Sequence, residues 1–291
     1  MAEITAGAEK SYWRSRPRVV VGRAALYLTI ALVSAATLFP IYWMIVCTFQ
    51  PNQYTLHWPP PLIPKALTMH QFGPLFQNHP LAIWLRNTAL LAIMAALICT
   101  SLTVLGAYAL SSLRWKGRTG FGLFLLITQM LPEILTLIPL YVIFRALNLL
   151  EKIPTVSMIN AAFSLPICIW ILKSVFDTVP SEVLDAAAVD GSSQMGTLWR
   201  IVLPLSAPGL VAVAVVAFFS AWNEFLFASI MLGGQNVKPA SVGIPTLKMF
   251  GFTPVEQYMG AGLLFSIPPV VFYLTMQRYI VAGLTAGAVK G

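Results

Sequence analysis

Long apolar runs separated by shorter polar segments dominate this 291-residue chain. A helix needs roughly 20 mainly apolar residues to cross the hydrocarbon core of a bilayer. Backbone groups in lipid must be satisfied within the segment, and the alternation typical of barrel strands is absent, so the runs predict helices. The chain is therefore predicted to be an all-α polytopic membrane protein. Six spans are predicted: Ala24–Phe49, Trp84–Leu110, Phe121–Phe144, Val156–Leu172, Leu205–Leu232 and Met259–Ala282.

The composition agrees with a membrane environment. The chain is 58% hydrophobic and 10% charged, whereas soluble domains carry about 25% charged residues. The net charge of +8 comes from basic residues scattered at the ends of the apolar runs, which argues against a nucleic-acid surface. The first run exceeds the roughly 7–15 apolar residues of a cleaved signal peptide. It is therefore predicted to be an uncleaved first span.

Lys and Arg are distributed unevenly between the two sets of connections. The N-terminal segment, the loops at 111–120 and 173–204, and the C-terminus together carry 12, and the other connections carry six. Because connections rich in Lys and Arg stay in the cytoplasm, both termini are predicted to be cytoplasmic. The chain then divides into a cytoplasmic segment at 1–23, a six-helix transmembrane domain at 24–282 and a cytoplasmic tail at 283–291.

The inner loop between the fourth and fifth predicted spans carries helix signals of its own. Ser181 stands where an N-cap is expected, and Gly191 can end the helix in a left-handed conformation. Ser192 or Ser193 can then cap a second short helix, and Pro204 is expected to begin the fifth span. A helix–glycine–helix elbow of this kind is typical of a docking surface rather than of a tether.

The sequence of this loop reads DAAAVDGSSQMGTLWRIVLP from Asp185 to Pro204. Its acidic residue and two alanines, its glycine and its final Leu–Pro resemble the EAA loop of the permease subunits of bacterial ABC importers. That family usually has Glu at the first position, and Asp185 keeps the charge on a side chain one methylene shorter. The resemblance implies that this coupling loop, residues 177–204, docks in a groove of the ATP-hydrolysing subunit. The docking residues are then Asp185, Ala186, Ala187, Gly191, Trp199, Leu203 and Pro204.

Two further segments resemble the carbohydrate branch of these importers, and within it the second permease subunit of the maltose type. One is AWNEFL at Ala221–Leu226, and the other is VAGLTAGAVKG at Val281–Gly291. In that family the tail reaches the interface between the two ATPase subunits. The resemblance therefore implies that Gly287 and Lys290 contact the ATPase.

Charged and amide side chains inside the predicted spans are candidates for a substrate path. Glu133 lies in the third span with Gln129 one turn earlier, and Glu224 lies in the fifth span beside Trp222 and Asn223. Ionisable residues within a bilayer are costly and are functional candidates by default. Carboxylates and amides can hydrogen-bond sugar hydroxyls, and aromatic faces can cover sugar C–H surfaces. The alternative role for these residues is polar contact between helices.

Motifs for nucleotide or metal chemistry are missing from the sequence. No GxxxxGK[ST] occurs, so the chain is not expected to cradle ATP phosphates. Its three cysteines lie in separate apolar runs without a CxxC pair, which indicates neither a metal site nor a disulfide framework. The chain is therefore predicted to bind no cofactor and to be no enzyme, with ATP and Mg bound by a partner ATPase subunit.

Together these features predict a permease with the type I ABC importer fold in the inner membrane. The expected substrate is a disaccharide or oligosaccharide delivered by an extracytoplasmic sugar-binding protein. The resemblance implies a second permease subunit, two ATPase subunits and the lipid bilayer as further partners, with no nucleic acid.

Three alternatives remain at this point. A glycerol-phosphate-type ester importer would favour Lys or Arg in the mid-membrane path. An ion-coupled secondary transporter would use Glu133 and Glu224 as coupling residues, but such folds often show two matching halves, and no clear internal repeat is seen. A structural membrane-assembly subunit would not need an ordered cytoplasmic elbow.

Overall fold

The computed structural model describes residues 2–286 apart from 56–57, 60 and 250–252. Side chains are described between residues 21 and 278, with residues 52 and 249 also excepted. Gly287 and Lys290, predicted to contact the ATPase, lie outside the described residues. All regular secondary structure in the described part of the chain is helical.

The described helices follow one another with short connections, apart from a longer irregular segment after the second. A π-helical segment at Leu198–Val202 joins the ninth to the tenth. The α-helices are α1 (Ala2–Phe49), α2 (Asn52–Thr55), α3 (Phe72–Asn78), α4 (Leu81–Ser111), α5 (Arg118–Thr128), α6 (Glu133–Ala146), α7 (Ile153–Phe176), α8 (Ser181–Val189), α9 (Gln194–Thr197), α10 (Leu203–Leu205), α11 (Ala207–Trp222), α12 (Leu226–Met231), α13 (Ala240–Met249) and α14 (Val255–Ala286).

Four single helices and two bent pairs in the described chain are long and apolar enough to cross a membrane, which agrees with about six spans when each bent pair counts as one. The single helices are Val21–Phe49, Leu81–Ser111, Ile153–Phe176 and Val255–Arg278. The bent pairs are Arg118–Thr128 with Glu133–Ala146, at 92°, and Gln194–Leu205 with Ala207–Trp222, at 84°.

The third predicted span is broken into two helices, α5 and α6, which meet at 92°. Pro132 has no backbone N–H and disfavours helical conformation in the residue before it, which explains the break. Pro132 itself is extended, with φ −61° and ψ 128°. Gln129 therefore ends α5 while Glu133 begins α6. The two side chains do not share a face of one helix, contrary to the prediction.

The fifth span also differs from the predicted Leu205–Leu232. Pro204 lies inside α10, and the chain bends by 84° at Ser206, before α11 begins. Pro208, in the first turn of α11, explains this start because its fixed φ suits that position. At its other end α11 stops at Trp222, and α12 follows after a short break.

The chain divides into two compact units. The larger comprises residues 72–253 and 264–291 and is built around α4, α7 and α11. Small residues bring these helices close together: a Cβ at Gly106 would meet Ile169 at 2.7 Å, and one at Gly209 would meet Val175 at 2.8 Å. Close packing at small residues is the usual basis of helix association in membranes.

The smaller unit comprises residues 1–71 and 254–263, and contains α1 and the start of α14. The side chains of α1 from Val21 to Tyr42 are exposed in the single chain. The last turn of α1 is buried instead, and the segment after it folds back: the Lys65 N–H donates to the Gln50 side chain at 3.2 Å. The Tyr42 hydroxyl donates to the Leu62 carbonyl. The part of α1 from Val21 to Tyr42 thus presents its apolar side chains to its surroundings.

Candidate functional site

The coupling loop begins with α8. Ser181 is the first helical residue, and Pro180 occupies the N-cap position with φ −58° and ψ 136°. The prediction that Ser181 caps this helix is therefore wrong, because the extended Pro180 already separates the helix from the preceding turn. No side chain caps the N-terminus, and Glu182 lies in the first turn. A carboxylate at this position complements the helix dipole.

The elbow after α8 is a Schellman motif centred on Gly191. Gly191 has φ +79°, which confirms the predicted left-handed conformation. Its N–H donates to the Ala188 carbonyl at 3.1 Å, and the Ser192 N–H donates to the Ala187 carbonyl at 2.9 Å. These two bonds close the C-terminus of the helix in the way the motif requires. A Cβ at Gly191 would meet no atom within 4 Å, so the requirement for glycine is conformational and not steric.

The second helix of the loop begins at a serine, as predicted. Of the two candidates, Ser193 is the N-cap: its hydroxyl accepts a hydrogen bond from the Gly196 N–H at 3.1 Å. Ser192 instead contacts the Thr197 hydroxyl at 3.2 Å. The helical path then continues through the π-helical segment as far as Leu205.

The seven predicted docking residues fall into two groups. Asp185, Ala186, Gly191, Trp199 and Pro204 are exposed in the single chain, and Trp199 retains 62% of its surface. Two others are buried within this chain: Ala187 is 4% exposed and Leu203 is 9% exposed. The buried pair supports the loop from beneath, so only the first group is free to meet a partner directly.

The large apolar side chain with the greatest exposed fraction in the loop is not among the seven predicted docking residues. Val189, the last residue of α8, is 88% exposed. It follows Asp185 by four residues, a spacing that places both on the same face of a helix. That spacing is the sequence signal that could have identified Val189. The outward face of α8 thus combines a carboxylate, a small residue and an apolar residue.

Side-chain contacts hold the start and an inner part of the coupling loop against the neighbouring helices. Near its start, Asp177 accepts a hydrogen bond from the Ser111 hydroxyl at 2.6 Å and pairs with Lys173 at 2.5 Å. Further along, the Tyr108 hydroxyl donates to the Gln194 carbonyl at 3.1 Å. Since Tyr108 and Ser111 both belong to α4, a displacement of the loop must be transmitted to that span.

A polar cavity of about 300 Å³ lies among α6, α7 and the break between α11 and α12. It unites three of the five predicted path residues with two polar residues that were not included. Three phenylalanines and a leucine complete its wall. The lining residues are Glu133, Asn160, Phe163, Ser220, Asn223, Glu224, Phe225, Leu226 and Phe227.

The polar side chains of this cavity are held by local hydrogen bonds. Glu224 is 8% exposed, and its Oε1 accepts from the N–H groups of Phe227 at 2.6 Å and Ala228 at 3.4 Å, which caps α12. Asn160 donates to the Val156 carbonyl one turn earlier in α7, at 3.0 Å. Glu224 is therefore a helix cap as well as a cavity residue.

The other two predicted path residues lie outside the cavity lining. Trp222 is 2% exposed and packs against Phe218 and Phe265, with ring centroids 5.4 and 5.5 Å away. The Gln129 side chain donates to the backbone carbonyl of Phe163 at 3.0 Å. Asn160, which was missed, carries a visible signal, since it is an amide within an otherwise apolar span.

Comparison with known proteins assigns the chain to a family. Residues 102–285 match the family described as binding-protein-dependent transport system inner membrane component. The chain is 33% identical to the inner membrane ABC transporter permease protein YcjP of Escherichia coli, over 93% of this chain and 98% of that protein. It is 34% identical to the trehalose/maltose transport system permease protein MalG of Thermococcus litoralis, over 94% and 98%. The trehalose transport system permease protein SugB of Mycobacterium tuberculosis is 32% identical, over 98% and 100%.

A solved structure shows the same fold. One chain of a bacterial ABC transporter that imports the acidic polysaccharide alginate superposes with a TM-score of 0.78 at 19% identity, covering 91% of this chain and 97% of that chain. The helices, the breaks and the helix–glycine–helix elbow thus form the permease fold of an ABC importer. The chain belongs to the binding-protein-dependent inner membrane components, the permease subunits of carbohydrate ABC importers.

Proposed function

We propose that the chain forms part of the membrane pathway for a disaccharide or oligosaccharide in an ATP-driven importer. Relatives that match nearly the whole chain are named for trehalose, maltose and diacetylchitobiose transport. As a permease subunit the chain is not itself an enzyme. The proposed role of the chain is to switch the pathway between opening to the outside and opening to the cytoplasm. The energy for this change comes from ATP hydrolysis by a partner subunit.

The observation that carries this proposal is the construction of the coupling loop. The face of α8 that points outward presents Asp185, Ala186 and the largely exposed Val189. An exposed apolar side chain beside a small residue and a charge is suited to a protein groove, where buried apolar anchors supply most of the binding energy. Trp199 provides a second such anchor on the following helical segment.

The proposed partners follow from this surface and from the family. Two ATPase subunits bind ATP and Mg and receive the coupling loops, a second permease completes the membrane pathway, and an extracytoplasmic binding protein delivers the sugar. A solved structure of the bacterial alginate ABC transporter includes a periplasmic protein with a bound alginate pentasaccharide. We further propose that residues 1–23, the coupling loop and the tail at 283–291 are cytoplasmic, with Gly287 and Lys290 at the ATPase interface.

The structure suggests how movement of the ATPase subunits reaches the pathway. The second helical segment of the loop, from Gln194 to Leu205, meets α11 at an 84° bend. The Tyr108–Gln194 hydrogen bond links the same segment to α4. A shift of the loop would therefore move α4 and α11 together, and the end of α11 borders the polar cavity.

The polar cavity is the proposed sugar contact in this subunit. Its carboxylates, amides and hydroxyl can hydrogen-bond sugar hydroxyls, while its phenylalanines can cover sugar C–H faces. Neither Lys nor Arg is among the lining residues, which disfavours a phosphate ester as substrate. The capping role of Glu224 is a structural use that an ion-coupled transporter would not require.

Docking of the coupling loop can be tested by co-purification from native membranes. Wild-type chain is expected to retain the ATPase subunit in detergent. Val189→Asp should release most of it, because a charge replaces the exposed apolar contact, whereas Val189→Ala should release less. The thermal unfolding temperature should stay the same, since exposed substitutions usually change stability by less than about 0.5 kcal/mol. Full retention of the ATPase by Val189→Asp, together with full uptake, would contradict the proposed docking face.

A further inference from the structure

The charged groups that line the polar cavity all have the same sign. Glu133 and Glu224 face it, and no Lys, Arg or His is among its lining residues. Membership of the family does not determine the charge of the cargo. One similar transporter imports the acidic polysaccharide alginate and another relative is named for sulfoquinovosyl glycerol transport, whereas others are named for trehalose transport.

The two carboxylates differ in how they are held. Glu224 is largely buried, and one of its oxygens is occupied by two backbone N–H groups of α12. Glu133 is the first residue of α6 and is exposed in the single chain. Within the described residues its carboxylate has no hydrogen-bond or ion-pair partner. The Glu133 carboxylate therefore lines the cavity and is free to meet a ligand.

Resting on the sugar-import function proposed above, we infer that this cavity selects the cargo by charge. It accepts neutral carbohydrates, favours carbohydrates that carry an amine, and rejects those that carry a uronate or sulfonate. Glu133 is the residue that determines this preference. The carboxylate can accept hydrogen bonds from hydroxyls or from an ammonium group, and these are the stronger kind when the acceptor is ionised. An anionic sugar would meet the like charge of Glu133, with no Lys, Arg or His of this chain in the lining to compensate.

Equilibrium binding can test this charge preference in the assembled importer without its binding protein. The complex is placed in nanodiscs and probed by saturation-transfer NMR with three ligands: a glucosamine disaccharide, trehalose and a digalacturonate. The glucosamine disaccharide should bind at least about tenfold more tightly than the digalacturonate, from the Coulomb energies of charges in a partly hydrated site. Trehalose should lie between them. Added salt should narrow the difference in affinity between the two charged disaccharides, because salt screens the interaction between charges.

Glu133→Gln is the informative variant, because its side chain has the same shape without the charge. This variant should reduce the ratio of the affinities for the glucosamine disaccharide and the digalacturonate by about threefold or more. It should leave the affinity for trehalose nearly unchanged. Glu182→Gln, which removes a charge on α8, is the matched control and should keep the wild-type ratio. Equal binding of the two charged disaccharides, or a ratio unchanged in Glu133→Gln, would overturn the inference. If all three disaccharides fail to bind, the cavity is not a carbohydrate site, whereas sugar import itself is tested separately by ATP-dependent uptake.

Discussion

At the scale of single residues, Gly191 shows how a backbone requirement can determine the shape of the proposed docking surface. The left-handed φ and the two hydrogen bonds of the Schellman motif direct the chain from α8 into the next helix. No neighbouring atom would obstruct a Cβ there. A substitution at Gly191 therefore acts through backbone strain alone, so the size of its effect on docking can be predicted from the conformational preference of the new residue.

Substitutions at Gly191 should reduce ATPase binding in the order of their strain. Gly191→Ala is expected to cost roughly 1–2 kcal/mol, Gly191→Val should cost more, and Gly191→Asn less, since asparagine tolerates the left-handed region. ATPase retention in detergent and coupled uptake measure the effect. If Gly191→Val retains the ATPase at wild-type levels and still couples hydrolysis to uptake, the elbow has no role in docking.

The burial of Ala187 changes what its substitution can show. Because Ala187 packs within this chain at 4% exposure, Ala187→Asp would place a charge inside the subunit and lower its stability. A loss of the ATPase in that variant would not by itself locate the interface. The neighbouring Ala186 is exposed on α8. It is therefore the better position at which to introduce a charged residue as a test of the docking interface.

The sequence predicts the elbow well because its signals are local. Glycine after a helix and serine at the start of the next one have conformational reasons that do not depend on the rest of the fold. The cavity was predicted only in part, since it depends on which side of each span faces inward. Asn160 and Trp222 illustrate this: the former was missed and the latter lies in the core. Helices with apolar residues all round give no periodic signal for such a choice.

At the scale of helices, breaks at prolines shape the membrane region. The sequence predicts disruption at Pro132 and near Pro208, but not bends of 92° and 84°. The angle is decided by packing beyond the break. For example, Gly122 of α5 lies against Trp170 of α7, whose Nε1 donates to the Gly122 carbonyl at 3.1 Å. Such contacts join residues far apart in sequence, which local patterns cannot reveal.

The two cavity carboxylates should respond differently to substitution. Glu224→Ala removes the cap of α12 and should destabilise the subunit by about 1 kcal/mol, whereas Glu224→Gln keeps an acceptor oxygen and should be milder. Glu133 caps no helix with its side chain, so Glu133→Gln should lower uptake of an amine-bearing disaccharide while leaving stability and assembly unchanged. Thermal unfolding in detergent and sugar uptake separate the two effects. Normal transport by both glutamine variants would place the sugar path elsewhere.

At the scale of the whole molecule, the uneven distribution of Lys and Arg predicts how the chain is oriented in the membrane. Both termini and the coupling loop are predicted to be cytoplasmic because Lys and Arg are concentrated on that side. In a cysteine-free background, a cysteine at position 192 (Ser192→Cys) should be protected from an impermeant thiol reagent in intact cells. It should become reactive once the membrane is permeabilised. Labelling in intact cells would reverse the proposed orientation.

The large exposed apolar surfaces of α1 and of the α5–α6 pair belong to the same scale. Leu28, Leu123 and Ile138, for example, are 62%, 53% and 73% exposed in the single chain. We propose that lipid and the second permease cover these surfaces.

The central claim, that α8 couples this permease to an ATPase, can be tested most directly by site-specific photocrosslinking in native membranes. A photoreactive amino acid replaces Val189, which is exposed, and in a matched control replaces Leu172, which is buried in α7. The account predicts that the Val189 probe forms an adduct containing the ATPase subunit and that the Leu172 probe does not. An ATPase-free crosslinking pattern at Val189, in membranes where the importer remains active, would contradict it.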